Sequence, residues 1–165
     1  MLAKQNHEDL EIYLKDHYAG AIGALELLEH LGEAHRGHPL GDFFHQLHID
    51  VQADHEQLHH LMTALDMEKS AVRDAGAWVA EKFSRAKLGF ITNEDPTLRL
   101  LQALETLYIG ITGKKLLWRA LRAARESSPI LEQTDFDLLE KRAVEQAERI
   151  DAQRLETARQ VFGAA

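Results

Sequence analysis

Apolar residues recur at intervals of three and four along nearly the whole chain of 165 residues. This spacing places them on one face of an α-helix, whereas the period-two alternation of half-buried strands is almost absent. Because only three prolines interrupt the pattern, it predicts an all-α fold. The four long predicted helices cover residues 7–35, 39–65, 95–124 and 134–162.

Capping and helix-breaking residues mark the ends of these segments. An acceptor side chain before the first turn or a proline within it favours a helix start, and glycine favours a stop. The signals are, in chain order, Asn6, Gly37 with Pro39, Asp95 with Pro96, and the capping-box-like pair Thr134 and Asp137.

The lengths of the connections predict how the helices are arranged. Short connections join the first helix to the second and the third to the fourth, so each pair is expected to form an antiparallel hairpin. About thirty residues separate the hairpins, and one more amphipathic helix of about 18 residues is predicted there from Ser70. Two hairpins joined by one long crossover are the ferritin-like layout, here as a single domain over residues 1–165.

Composition excludes several classes of function. The formal net charge is −8, which argues against nucleic-acid binding and, more weakly, against docking on anionic membranes. There are no cysteines, so disulfides, thiolate metal sites and thiol nucleophiles are excluded. No apolar run is long enough for a signal peptide or a spanning helix, and a cytoplasmic location is therefore expected.

Two short segments resemble the ferritin-like superfamily of bacterioferritins and rubrerythrins. Asp16-His17-Tyr18-Ala19 is similar to the family's first-helix pattern, which has a ligand Glu where His17 stands. Glu148-Arg149-Ile150-Asp151 resembles the fourth-helix pattern Glu-His-Ile-Asp, with Arg149 at the ligand His. The resemblance implies two irons, held by one Glu from each of two helices and a Glu-x-x-His pair from each of the others.

The positions that would carry these ligands depart from the family's set. The expected inward residues are His17 in the first helix, Asp54 and Gln57 in the second, and Glu105 beside a third-helix stripe that includes Tyr108. The inward residues of the fourth helix cannot bind metal, and Arg149, which lies beside them, would repel metal cations. Those fourth-helix inward positions are Ala143, Ala147 and Ile150, with Gln146 and Arg149 beside them.

All ten histidines lie at or before His60, so the fourth helix supplies none. The sequence therefore predicts that a symmetric di-iron centre is missing. The alternative is an asymmetric metal site built from His17, Asp54 and Glu105.

The second helix carries a zinc-peptidase pattern, His55-Glu56-Gln57-Leu58-His59. Two imidazoles one turn apart can bind zinc while the glutamate activates water. Leu65 stands where a metzincin would have its third ligand, so the peptidase hypothesis ranks below the others.

Histidines also recur along one flank of this helix. They could form a surface site for Zn²⁺ or Ni²⁺, or a patch that becomes positively charged as the pH falls towards 6. A solvated polar flank without a function is the favoured interpretation. That flank consists of His45, His48, Gln52, His55 and His59.

Glycines beside His17 and in the third helix are expected to have a structural role, because each lowers helix stability by about 1 kcal/mol relative to alanine. They are Gly20, Gly23, Gly110 and Gly113. Close packing of helix backbones around a hydrogen-bonded His17 is favoured over a pocket.

Two features of the third helix suggest contacts. Cross-helix ion pairs are expected between its basic ridge and the fourth helix. The expected pairs are Lys115 with Glu145, Arg119 with Glu140, and Arg122 with Asp137. Leu116, Leu117 and Trp118 are expected in the core, and Trp118 is alternatively a dimer anchor.

The sequence favours a ferritin-like bundle without a working di-iron centre, acting as a binding or structural protein rather than as an enzyme. No cofactor is expected, and a homodimer is compatible with the composition. The alternative is an oxidase or storage protein of the same fold that binds Fe, Mn or Zn. A zinc peptidase using His55, Glu56 and His59 ranks third.

Overall fold

The computed structural model describes residues 2–67 and 95–163, and all regular secondary structure within these ranges is helical. This confirms the all-α prediction. The crossover helix predicted from Ser70 lies outside the described residues. No helix in the described ranges is long and apolar enough to cross a membrane. The elements are α1 (Leu2–Ala34), α2 (Pro39–Ala64), α3 (Pro96–Ala123), a 3₁₀ turn (Arg125–Ser127), α4 (Pro129–Gln133) and α5 (Phe136–Phe162).

The described residues divide into two compact units. The first contains α1, α2, the 3₁₀ turn and α4, and the second contains α3 and α5. Each unit is built on one of the predicted antiparallel hairpins. In the first unit, His7 Nε2 lies 3.3 Å from the Leu65 carbonyl oxygen, so the start of α1 meets the end of α2. That the chain forms one domain stays a prediction.

Apolar seams hold the first hairpin together. Leu14 and Leu28 of α1 and Phe44 and Leu47 of α2 are almost completely buried. They recur at helical spacing, so each helix turns one continuous apolar stripe inward. Each buried leucine or phenylalanine contributes about 1.5–3 kcal/mol.

Ion pairs and an aromatic contact join α3 to α5 in the second hairpin. Arg122 contacts Asp137 and lies 3.0 Å from Glu140, and Arg119 lies 3.6 Å from Glu140. These contacts confirm two of the three predicted pairings, although exposed pairs add little stability. Glu145 lies 3.8 Å from Lys141 of its own helix.

Burial in α3 differs from the prediction at two positions, Tyr108 and Leu116, and agrees with the core assignment of Trp118. Tyr108 is 37% exposed, and its neighbour Leu107 takes the buried position. Trp118 is buried and its ring centroid lies 6.4 Å from that of Phe136, so it packs inside the hairpin. Leu116, expected in the core, is instead 53% exposed.

Three helix starts follow the predicted signals closely. α2 begins at Pro39, and α3 begins at Pro96, where Asp95 Oδ1 accepts a hydrogen bond from the Thr97 amide at 2.8 Å. The cap of α5 is Asp135, whose side chain accepts from the Leu138 amide at 3.0 Å. The prediction of Thr134 was wrong by one residue, because the unpredicted helix α4 ends there and the Thr134 hydroxyl donates to the Ile130 carbonyl.

The first helix begins earlier than predicted. α1 starts at Leu2 rather than after Asn6. Helix continues through Asn6 because this residue, although a good cap, does not force the chain out of helix.

Glycine is required at one helix start and dispensable within two helices. A Cβ on Gly41 would lie 2.3 Å from the His35 carbonyl oxygen, so only glycine lets α2 begin this close to the end of α1. A Cβ on Gly20, Gly110 or Gly113 would meet no heavy atom within 4 Å in the part of the chain described here. No close backbone packing occurs at these three glycines among the described residues, and its presence elsewhere stays a prediction.

The Gly41 contact generates a stability prediction. Gly41→Ala should lower the free energy of unfolding by about 1–3 kcal/mol, because the new Cβ overlaps backbone that cannot rotate away. Urea unfolding followed by circular dichroism measures it. Gly20→Ala is the matched control and should raise stability by about 0.5–1 kcal/mol, since it adds helix propensity in open space. Equal effects of the two substitutions would contradict this account of the α1–α2 turn.

Candidate functional site

A polar and aromatic cluster lies between α1 and α2 in the first unit. The ring of Tyr18 lies 4.5 Å from that of His55 and 5.9 Å from that of His59, measured between centroids. Tyr18 is 8% exposed, and both histidines are half-buried. Because His55 and His59 are one helical turn apart, they meet the same ring of the facing helix.

Asp54 is the buried carboxylate of this hairpin, with 1% of its surface exposed. It stands on the buried stripe of α2 between Val51 and Leu58, as the sequence predicted. Gln57, predicted to face the core with it, is exposed. The error follows from helix geometry: at about 100° per residue, Gln57 lies about 60° from Asp54 on the side away from Leu58, and this places it outside the buried stripe.

Burial changes the proton affinity of two histidines in this unit. The pKa of His55 is lowered by burial and by the neighbouring His59, and Glu56 opposes the shift. His55 Nε2 is shielded from solvent and has no hydrogen-bond partner among the described residues. Burial also lowers the pKa of His17, against the influence of Asp16. Both shifts favour neutral imidazole, which is the metal-binding form.

His17 lies outside the Tyr18 cluster. Its ring packs edge-on against Tyr13, with centroids 4.7 Å apart and planes inclined by 73°. It is half-buried rather than turned fully into the core, because the next residue, Tyr18, takes the buried position. The prediction that His17 faces the core was therefore wrong by one residue.

The described residues do not form the ligand set of a di-iron protein. No group of three or more His, Cys, Asp or Glu side chains within residues 5–67 and 95–163 is placed to hold a metal ion. Glu105, the third-helix candidate, belongs to the second unit, where it is 52% exposed and lies 3.9 Å from Arg154. The candidates His17, Asp54 and Glu105 are thus positioned by different local contacts, each within its own unit.

The interior of the second hairpin carries groups that cannot serve as iron ligands. Ala143 and Ile150 of α5 are fully buried, and Gln146 between them is 2% exposed. Lys114 of α3 donates a hydrogen bond to the Gln146 side-chain oxygen. A cationic ammonium therefore occupies the polar centre of this hairpin, where a di-iron protein would place carboxylates and imidazoles.

The His-Glu-x-x-His segment lacks the surroundings of a peptidase centre. Glu56 is exposed, and its carboxylate accepts a hydrogen bond from the Gln52 amide at 3.1 Å. The rings of His55 and His59 both lie against the ring of Tyr18. A water-activating glutamate has to reach the metal-bound water, and this contact holds Glu56 on the helix surface.

The histidine flank of α2 is less solvated than its sequence suggested. His45 is exposed, whereas His48, His55 and His59 are half-buried. A surface cleft of about 590 Å³ adjoins its first two members at the α1–α2 turn. Its lining includes Glu29, Glu33, Arg36, Asp42, His45 and His48.

Two polar features of these hairpins were not predicted from the sequence. Tyr18 has the i+4 spacing from Leu14 that marks it as the inward residue, so the apolar stripe could have revealed it. The pair of Lys114 and Gln146 gave no local signal, because it joins residues far apart in sequence.

No protein-family model, curated protein or solved structure matches this chain.

The half-buried His55 is expected to make stability depend on pH. Its folded pKa is lower than the unfolded value near 6.5, so the unfolded chain binds more protons as the pH falls. Stability from this group is complete above about pH 6.5 and is lost as the pH falls through the folded pKa. We expect His55→Gln to reduce the fall in urea midpoint between pH 7.5 and 5.5. His45→Gln, on the exposed end of the same flank, should leave that fall unchanged; an equal effect would disprove the assignment to His55.

Proposed function

We propose that this chain is a ferritin-like four-helix bundle without a working di-iron centre, acting as a binding or structural protein rather than as an oxidase. Two antiparallel hairpins separated by residues 68–94 support this layout, because one long crossover distinguishes it from a simple up-down bundle. A crystal structure of the full chain tests whether the two hairpins pack side by side.

The buried residues of α5 are the main evidence against a working di-iron centre. A di-iron centre draws ligands from all four helices, and each hairpin must therefore supply carboxylates and an imidazole. The buried positions of α5 carry no carboxylate and no imidazole, and Gln146 among them is hydrogen-bonded to Lys114. They are Phe136, Leu139, Ala143, Gln146, Ile150 and Thr157. An ammonium beside this position repels a second cation, so substituting one residue would not create the missing half of the centre.

The first prediction from this proposal concerns iron. The untagged chain should contain no stoichiometric iron, and it should oxidise added Fe²⁺ in air no faster than buffer does. Elemental analysis of metal per chain and absorbance after Fe²⁺ addition measure the two quantities. Two irons per chain, lost with oxidation activity in His17→Ala or Glu105→Ala, would overturn the proposal. His30→Ala is the matched control, since His30 is an exposed histidine of the same helix.

A second candidate function is a transition-metal site at His55 and His59. It is favoured by their common position against Tyr18 and by the burial that lowers the pKa of His55. Two imidazoles alone bind zinc only adventitiously, and a built site requires further ligands.

Zinc titration distinguishes these cases. We expect binding no tighter than that of exposed histidine pairs, because the His55–His59 pair has no third ligand among the described residues. Isothermal titration with Zn²⁺ at pH 7.5 measures the affinity. One tightly bound zinc per chain that is lost in His55→Ala and retained in His45→Ala would establish the metal site instead.

A further inference from the structure

Helix α3 has a second apolar face, opposite the one that packs in its hairpin. On this face Ile109 is 70% exposed and Leu116 is 53% exposed. The residues around them are spaced alternately by four and three, which is the spacing of a helix-packing seam. We call this seam the outer stripe; it consists of Gln102, Thr106, Ile109, Gly113, Leu116 and Ala120.

The centre of the outer stripe has no side chain. A Cβ on Gly113 would meet no heavy atom within 4 Å among the described residues, so no contact there demands glycine. Glycine in mid-helix nevertheless costs about 1 kcal/mol relative to alanine. Helices pack about 8–10 Å apart depending on the side chains between them, and a bare backbone permits the closest approach.

Charges on one flank of the outer stripe make it complementary to itself. Glu105 and Arg119 lie seven residues before and seven residues after Thr112. Seven residues are close to two helical turns, so all three lie on the same side of α3. If two copies of α3 pair antiparallel about a two-fold axis at Thr112, each Glu105 faces Arg119 of the other copy. Parallel pairing would instead place Glu105 against Glu105.

The contacts of these two side chains within the chain leave them available for such pairing. Glu105 lies 3.9 Å from Arg154 and is 52% exposed, while Arg119 lies 3.6 Å from Glu140 and is 56% exposed. Both distances are at the outer limit of an ion pair. A carboxylate accepts, and a guanidinium donates, more than one hydrogen bond, so each group can hold a second partner.

We propose that two copies of this chain form a symmetric dimer through the outer stripe, with the α3 helices antiparallel. Ile109 of each copy packs against Leu116 of the other, Gly113 lies near the two-fold axis, and two Glu105–Arg119 pairs flank the seam. All residues of this dimer contact belong to the second hairpin, so the presence or absence of bound iron does not bear on the dimer.

The first test measures self-association of the full chain by sedimentation velocity over a range of concentrations. A dimer is expected, and Ile109→Lys should raise its dissociation constant by about tenfold or more, because a charge replaces a central apolar contact. Ile12→Lys is the matched control: Ile12 is 60% exposed on α1, outside the stripe, and its substitution should leave the constant unchanged. Unchanged far-UV circular dichroism of both variants verifies folding. A monomeric wild-type chain, or equal weakening by both variants, would overturn the proposal.

The second test determines orientation by disulfide cross-linking, which the absence of cysteine from the chain makes unambiguous. Gly113→Cys should cross-link readily under mild oxidation, since the two substituted positions meet near the axis. Gln102→Cys should not, because an antiparallel pair separates its two copies by about 30 Å. Efficient cross-linking through Gln102→Cys would indicate parallel helices. A monomeric Gly113→Cys variant whose thiol resists alkylation would show that another segment of the same chain covers the stripe. Each of these two results would refute the proposed antiparallel dimer.

The third test exchanges the charges. Glu105→Arg or Arg119→Glu alone places like charges across the interface and should weaken the dimer by about threefold to tenfold. The double variant restores opposite charges in both pairs and should recover most of the affinity. Failure of the double variant to recover, with its helical content intact, would show that these two residues do not meet across a dimer.

Discussion

The structure depends on apolar stripes that are buried between neighbouring antiparallel helices. Short connections leave each hairpin no other way to cover its leucines and phenylalanines, so the α1–α2 turn has to be tight. Gly41 reflects this constraint, because a Cβ at this position would lie 2.3 Å from the carbonyl oxygen of His35 in the α1–α2 turn. The polar residues of both hairpins are then positioned relative to seams that burial has already fixed.

Much of the helical layout could be predicted because it is encoded locally. Pro39 and Pro96 begin their helices where proline is tolerated, and Asp95 caps α3 as its side chain predicts. The segment between α3 and α5 was harder. Its 3₁₀ turn and the five-residue helix α4 are too short for periodicity to appear, so a loop was expected and the cap of α5 was assigned one residue early.

The candidate site was less predictable than the fold, because a shift of one residue turns a side chain by 100°. Asp54 was placed correctly, whereas His17 and Gln57 were assigned inward positions that their neighbours Tyr18 and Leu58 occupy. The cluster of Tyr18 with His55 and His59 required knowledge of which turns of α1 and α2 face one another. Tertiary alignment of this kind has no local signature.

Helix α3 explains why periodicity alone misjudged the second hairpin. A helix with one apolar face reveals its inward side, but α3 carries apolar residues on two faces. Tyr108 was therefore taken as inward where Leu107 is buried, and Leu116 was assigned to the core although it is exposed. A monomeric helix gains nothing from a second stripe in water, since exposed isoleucine and leucine add no burial and glycine lowers helix stability. Burial of that stripe against a partner would stabilise these residues. The opposite charges of Glu105 and Arg119 favour the outer stripe of a second copy, in antiparallel orientation, as that partner.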